Sequence, residues 1–165
     1  MTFDDVIGPL LKREGGYVSH KNDRGGSTNH GVTQANYTRW LTKHGKQWAD
    51  VRELTKRDAT LIYRENYWIP SKCDALPDVV RDIHFDGAVN HGVSRANKLL
   101  QAAVGVSQDG VIGSKTLAAV AGMDGRLVRA RLLNERYRFY TAIVNRDRSQ
   151  FDFLVGWLNR LAEFS

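Results

Sequence analysis

Apolar residues recur at helical spacing along almost the whole chain, and one long stretch breaks the pattern. That stretch is Glu14 to Thr33, reading EGGYVSHKNDRGGSTNHGVT. No long alternation of apolar and polar residues appears elsewhere, and no repeat of fixed period does. The chain is therefore confined to a mainly α fold. Only the loop from Tyr17 to Gly31 has room for a small β-hairpin.

The helices announce themselves by their ends. Thr2 reads as the N-cap of a helix whose Phe3, Val6, Ile7, Leu10 and Leu11 form one buried face, closed by Gly15-Gly16. Thr33 caps a second helix through about Lys43, with Gly45 as its stop. Thr55 and Asp58 suggest a capping box over Lys56–Tyr67. Pro77 opens a helix that His91-Gly92 closes, and Ser94 reads as the cap of the next, stopped by Gly105. Ser114 starts a short helix through Ala121, and Gly122 and Gly125 interrupt the chain again. The longest pattern runs from Arg126 to about Asn145, and a last apolar helix covers Phe151–Phe164. Tyr37, Trp40, Trp68 and Trp157 fall on helix stripes and read as core. The whole divides into an N-terminal lobe, residues 1–78, and a helical lobe, residues 79–165, expected to share one core and fold as one unit.

Composition narrows the class. The chain has 165 residues, enough for one domain or two small lobes. Its single cysteine, Cys73, excludes an intramolecular disulfide. The five histidines are scattered, so no metal or other cofactor is expected. The opening MTFDDVIGPLLKREGG reads as neither a signal peptide nor a membrane span. A net charge of +6 attracts polyanions, among them nucleic acid, anionic lipid and a bacterial wall whose stem peptides carry carboxylates.

Two acids stand out in the broken stretch, Glu14 and Asp23, with eight residues between them. Glu14 falls on the apolar face of the first helix, at its C-terminus. There the dipole and partial desolvation both favour a protonated carboxyl, as a general acid requires. The alternative is a helix-ending Glu paired with Lys12 or Arg13. Asp23 precedes Gly25-Gly26, where Asp is often only a turn former. Thr28 follows closely, and its hydroxyl could hold a water between the two carboxyls. A carboxyl facing a second carboxyl is the arrangement that hydrolyses glycosidic bonds. Tyr17 is a candidate platform for a sugar ring. His30 either lines the cleft or is a solvated loop residue.

The residues also resemble a known family. Glu14-Gly15-Gly16-Tyr17-Val18, then Asp23-x-Gly25-Gly26-x-Thr28-x-x-Gly31-Val32-Thr33, is similar to the signature of glycoside hydrolase family 108. Tyr67-Trp68 and Asp74-x-Leu76-Pro77 continue the likeness. Phe85-Asp86-x-Ala88-Val89-Asn90-x-Gly92, Asp109-Gly110-x-Ile112-Gly113-x-x-Thr116-Leu117 and Gly156-Trp157-Leu158-x-Arg160 resemble its C-terminal predicted peptidoglycan-binding region. The resemblance implies a lysozyme-like helical fold. It also implies cleavage of the β-1,4 bond between N-acetylmuramic acid and N-acetylglucosamine, as by phage endolysins and bacterial muramidases. Glu14 matches the family's catalytic Glu. By similarity to phage lysozymes with a Glu, Asp, Thr triad, Asp23 would be the base and Thr28 the water-holding hydroxyl. Thr28 arrives one residue earlier than in those lysozymes. His20-Lys21 stands where the family usually has an acid or His followed by Pro, which should loosen the loop before Asp23. An opening without an export signal and a chain without a disulfide suit a monomeric phage endolysin, held in the host cytoplasm until a holin opens the membrane and then acting on the wall; a tail-associated or prophage-derived enzyme would look similar.

Two other readings compete. Some family relatives are described as secretion activators, so a non-catalytic wall-binding protein could use the same scaffold; the presence of Glu14 favours an enzyme. Arg126, Arg129, Arg131, Arg136 and Arg138 suggest a nucleic-acid binder. They are spread around a helix without an interleaved stacking motif, and an ordinary solvated face explains them better.

Overall fold

The computed structural model describes residues 1–18 and 26–165 and divides the chain into two compact units. One comprises Thr2–Asn66, and the other Tyr67–Ser165 together with Met1. The fold is mainly α, as the periodicity requires, with a two-stranded antiparallel hairpin as the sheet among the described residues.

The N-terminal unit contains α1 (Phe3–Glu14), β1 (Thr28–Asn29), β2 (Val32–Thr33), α2 (Gln34–Lys43) and α3 (Lys56–Tyr63). The expected caps are formed. The Thr2 N–H donates to Asp5 Oδ2 at 2.6 Å, Thr33 Oγ1 accepts from the Asn36 N–H at 3.2 Å, and Thr55 Oγ1 from the Asp58 N–H at 3.1 Å. Each satisfies a backbone donor that the helix start would otherwise leave open, worth about 1 kcal/mol. Phe3, Ile7, Leu10 and Leu11 of α1, Tyr37, Trp40 and Leu41 of α2, and Ala59, Ile62 and Tyr63 of α3 are buried. Full burial of such an aliphatic or Phe side chain stabilises by about 1.5–3 kcal/mol. The predicted helix Lys56–Tyr67 instead changes pitch at Arg64, and Arg64–Trp68 form a π-helical turn.

The C-terminal unit contains α4 (Asp78–His91), α5 (Val93–Ala103), α6 (Ser114–Ala121), α7 (Gly125–Arg146) and α8 (Phe151–Ala162). Its core is built from Val80 and Ile83 of α4, Leu99, Leu100 and Ala103 of α5, and Val128 and Leu132 of α7. Two helix starts differ from expectation. Gly92, at φ 79°, lets the chain leave α4 and enter α5 at once, so Val93 is already helical and Ser94 is not the cap. The Asp124 carboxylate accepts from the Arg126 and Leu127 N–H groups at 2.9 and 3.1 Å, so α7 begins at Gly125 rather than after it. Trp68 is fully buried, whereas Trp157 is only half-buried, its ring stacked on Tyr140 at 4.9 Å.

The reading of the α7 arginines as one solvated face is corrected. Arg136 is 1% exposed, its guanidinium donating to Asp86 Oδ2 at 2.7 Å and to the Ile83 carbonyl at 3.2 Å. Arg160 of α8 donates to the other carboxylate oxygen of Asp86 at 2.8 Å. Arg129 bonds to Asp82 at 2.6 Å and to the Phe164 carbonyl at 3.0 Å. Arginine enters a helical core here because a carboxylate is buried with it.

The segment Asp109–Gly113 is held from α5. Gln101 Nε2 donates to Asp109 Oδ1 at 2.7 Å and to the Val111 carbonyl at 3.1 Å, while Gln101 Oε1 accepts the Gly110 N–H at 2.9 Å. Asn97 donates to the Gly110 carbonyl at 3.0 Å. No helix among the described residues is long and apolar enough to cross a membrane.

Candidate functional site

Glu14 is the last residue of α1, and the helix ends behind it because Gly15 turns to φ 74° while its N–H returns to the Leu11 carbonyl at 3.3 Å. The Glu14 side chain is half-buried. Its surroundings come from the hairpin. β1 and β2 pair Thr28 with Thr33 and Asn29 with Val32, leaving His30 and Gly31 as a two-residue turn. Both have positive φ, 49° and 74°, as a type I′ turn demands. The hairpin thus lies later than expected, reaching past Gly31 to Thr33. Val18 joins the other edge of Thr28 through two backbone bonds of 2.8 and 2.9 Å.

Gly31 is the floor of the site. A Cβ placed there would lie 2.7 Å from Glu14 Oε2 and 3.0 Å from Glu14 Cβ, and would collide with the Tyr63 hydroxyl. The carboxyl and the phenol therefore converge on one bare patch of backbone. Tyr63 Oη donates to the His30 carbonyl at 3.0 Å, tying α3 to the tip of the hairpin. Asn29 anchors the same hairpin from below. Only 6% exposed, its Nδ2 lies within hydrogen-bond distance of the Val51, Arg52 and Leu54 carbonyls at 3.0, 3.2 and 3.3 Å.

The sequence-predicted residues fall as follows. Thr28 is in β1, half-buried, on the hairpin whose turn meets Glu14. His30 occupies that turn, where its carbonyl is engaged by Tyr63. Tyr17 is 38% exposed; its hydroxyl donates to Ser27 Oγ at 3.2 Å and the Arg52 guanidinium lies over its ring at 5.0 Å. Asp23 lies outside the described residues, as does the His20-Lys21 pair. Sequence reasoning missed Tyr63, Asn29 and Gly31 as parts of the site. Tyr63 sat on the inner stripe of its helix, which hid the job of its hydroxyl. The Asn29-His30-Gly31-Val32 run carried a hairpin signal, two residues tolerant of positive φ between strand residues.

A carboxyl fixed at a helix end, with a hydroxyl beside it and open backbone below, can hold a proton in a defined direction. Replacing Gly31 by Ala is expected to lower stability by about 1–3 kcal/mol through positive-φ strain and collision, and to displace Glu14. Gly8→Ala is the control, since nothing lies within 4 Å of a Cβ there. Thermal melts of the two variants check this; equal melting temperatures would contradict the packing described.

Comparison with known proteins places this geometry in context. The family model described as Glycosyl hydrolase 108 matches residues 7–92, just over half of the chain. A second, described as Predicted Peptidoglycan domain, matches residues 95–162. A solved structure of Brucella abortus SagA is similar over 98% of this chain and 90% of that one, with a TM-score of 0.83 and 40% sequence identity. The comparison with curated proteins found no match. The motif around Glu14 lies within the first match, the second match follows it along the chain, and the chain belongs to the glycosyl hydrolase 108 family of peptidoglycan-related hydrolases.

Proposed function

We propose that this protein is a muramidase, cleaving the β-1,4 bond between N-acetylmuramic acid and N-acetylglucosamine in peptidoglycan. The observation that carries the reading is the convergence of the Glu14 carboxyl and the Tyr63 hydroxyl over Gly31, within the part of the chain matched to the hydrolase family. In this reading Glu14 protonates the leaving glycosidic oxygen. Asp23 activates the attacking water or steadies the oxocarbenium-like transition state, and Thr28 holds that water. Tyr17 offers a sugar platform, and His30 lines the cleft beside it. Residues 1–78 carry the chemistry, and residues 79–165 engage the wall.

The test is digestion of purified peptidoglycan by the intact protein, following new reducing sugars and new free amino groups in parallel. Glycosidase action raises reducing groups alone. A rise in amino groups alone would overturn the reading in favour of peptide or amide cleavage. Tight wall binding with neither product would leave a binding protein on a hydrolase scaffold.

A further inference from the structure

α7 carries two kinds of arginine. Arg129 and Arg136 are committed to carboxylates within the C-terminal unit. Arg131 and Arg138 are exposed and, with Asn134 and Glu135, line an open cleft of about 290 Å³. Ala102, Ala103 and Gly105, where α5 ends, form its other wall. Positions 131, 134, 135 and 138 follow the i, i+3, i+4, i+7 spacing that shares one face of the helix. Arg138 is held by Glu135 at 3.0 Å, but among the described residues Arg131 meets no carboxylate; its guanidinium touches the Met123 sulfur at 3.7 Å. The cleft therefore keeps one uncompensated guanidinium.

The lining says what kind of group fits. No aromatic ring lines the cleft among the described residues, so they offer no stacking surface for a sugar. The volume is at the small end for ligand sites, suited to a terminal residue rather than a disaccharide. A planar guanidinium is shaped for a carboxylate, which it can bind through two parallel hydrogen bonds. Small residues opposite leave room for a short peptide backbone and a methyl side chain.

We infer that this cleft binds a free carboxylate at the end of a peptidoglycan stem peptide, with Arg131 as the principal contact and Asn134 and Arg138 supporting it. The inference rests on the peptidoglycan reading and adds to it a separate binding site for the peptide part of the polymer. Binding there would weaken as salt is added, because the site is open to solvent.

The experiment is an NMR titration of the ¹⁵N-labelled full chain with a synthetic stem tetrapeptide ending in D-Ala, as free acid and as C-terminal amide. The free acid is expected to shift the amides of Arg131–Arg138 and Ala102–Gly105, and the amide form to leave them unmoved. Arg131→Ala should weaken free-acid binding about tenfold, the scale of a lost charged hydrogen bond, and Arg131→Lys should recover only part. Equal shifts by acid and amide, equal binding by Arg131→Ala, or the same shifts with inorganic phosphate at equal concentration would overturn the assignment. Wild-type hydrolysis of glycan stripped of its peptides is read separately. Cleavage there without peptide binding overturns this inference alone. Peptide binding without cleavage overturns the muramidase reading alone.

Discussion

Glu14→Gln is expected to abolish hydrolysis of peptidoglycan, by about 10²–10⁴-fold, while leaving the melting temperature close to that of the wild type. Glutamine keeps the shape of the side chain and its place over Gly31, so α1, the Gly15 cap and the Tyr63–His30 bond have no reason to move. What is lost is the proton that a carboxylic acid can deliver to a leaving oxygen and an amide cannot. Release of dye-labelled fragments from the wall measures the rate, and a thermal melt reports the fold. A large loss of stability together with activity would assign Glu14 a structural task instead.

Asp86→Ala should produce the largest change in stability, a loss of about 3–5 kcal/mol. The Asp86 carboxylate is the meeting point of α4, α7 and α8, accepting from Arg136 at 2.7 Å and Arg160 at 2.8 Å. The Asp86 and Arg136 side chains are 3% and 1% exposed. Removing the carboxylate strands a guanidinium with no access to water, whereas Arg160, 20% exposed, can turn outward. The double variant Asp86→Ala/Arg136→Met should recover much of the loss, because the cost lies in the orphaned charge more than in the missing attraction. Denaturant melts of the two single variants and the double variant decide it. Strict additivity would contradict the buried pair described here.

That triad also explains why parts of the chain were legible and others were not. Phe85-Asp86 and Trp157-x-x-Arg160 stood out as motifs 74 residues apart from Asp86 to Arg160, yet nothing in their spacing said that they touch. A helical wheel separates apolar from polar residues, and Arg136 falls with the polar ones until a buried partner from another helix is known. The helices themselves were readable because local chemistry ends them: the Thr2, Thr33 and Thr55 starts needed no tertiary information. Ser94 and Gly125 were misassigned where a glycine conformation or a neighbouring Asp overrode the nearest capping residue.

At the candidate site the same division holds. Glu14 was visible as an acid on an apolar stripe ended by two glycines. Gly31 was not, since its role depends on a side chain from α1 and another from α3 arriving at the same point. Tyr63 is 2% exposed and so satisfies the core reading with its ring, while its hydroxyl serves the hairpin. A residue with two jobs shows only the commoner one in sequence.

The measurement that bears most directly on the proposed chemistry is the identity of the sugar at each newly made chain end. Wild-type and Glu14→Gln digests of peptidoglycan would be reduced with borohydride and analysed by mass spectrometry. Muramitol-ended fragments from the wild type, and none from the variant, are predicted. Glucosaminitol ends, ends that resist reduction, or equal muramitol from both proteins would contradict the account.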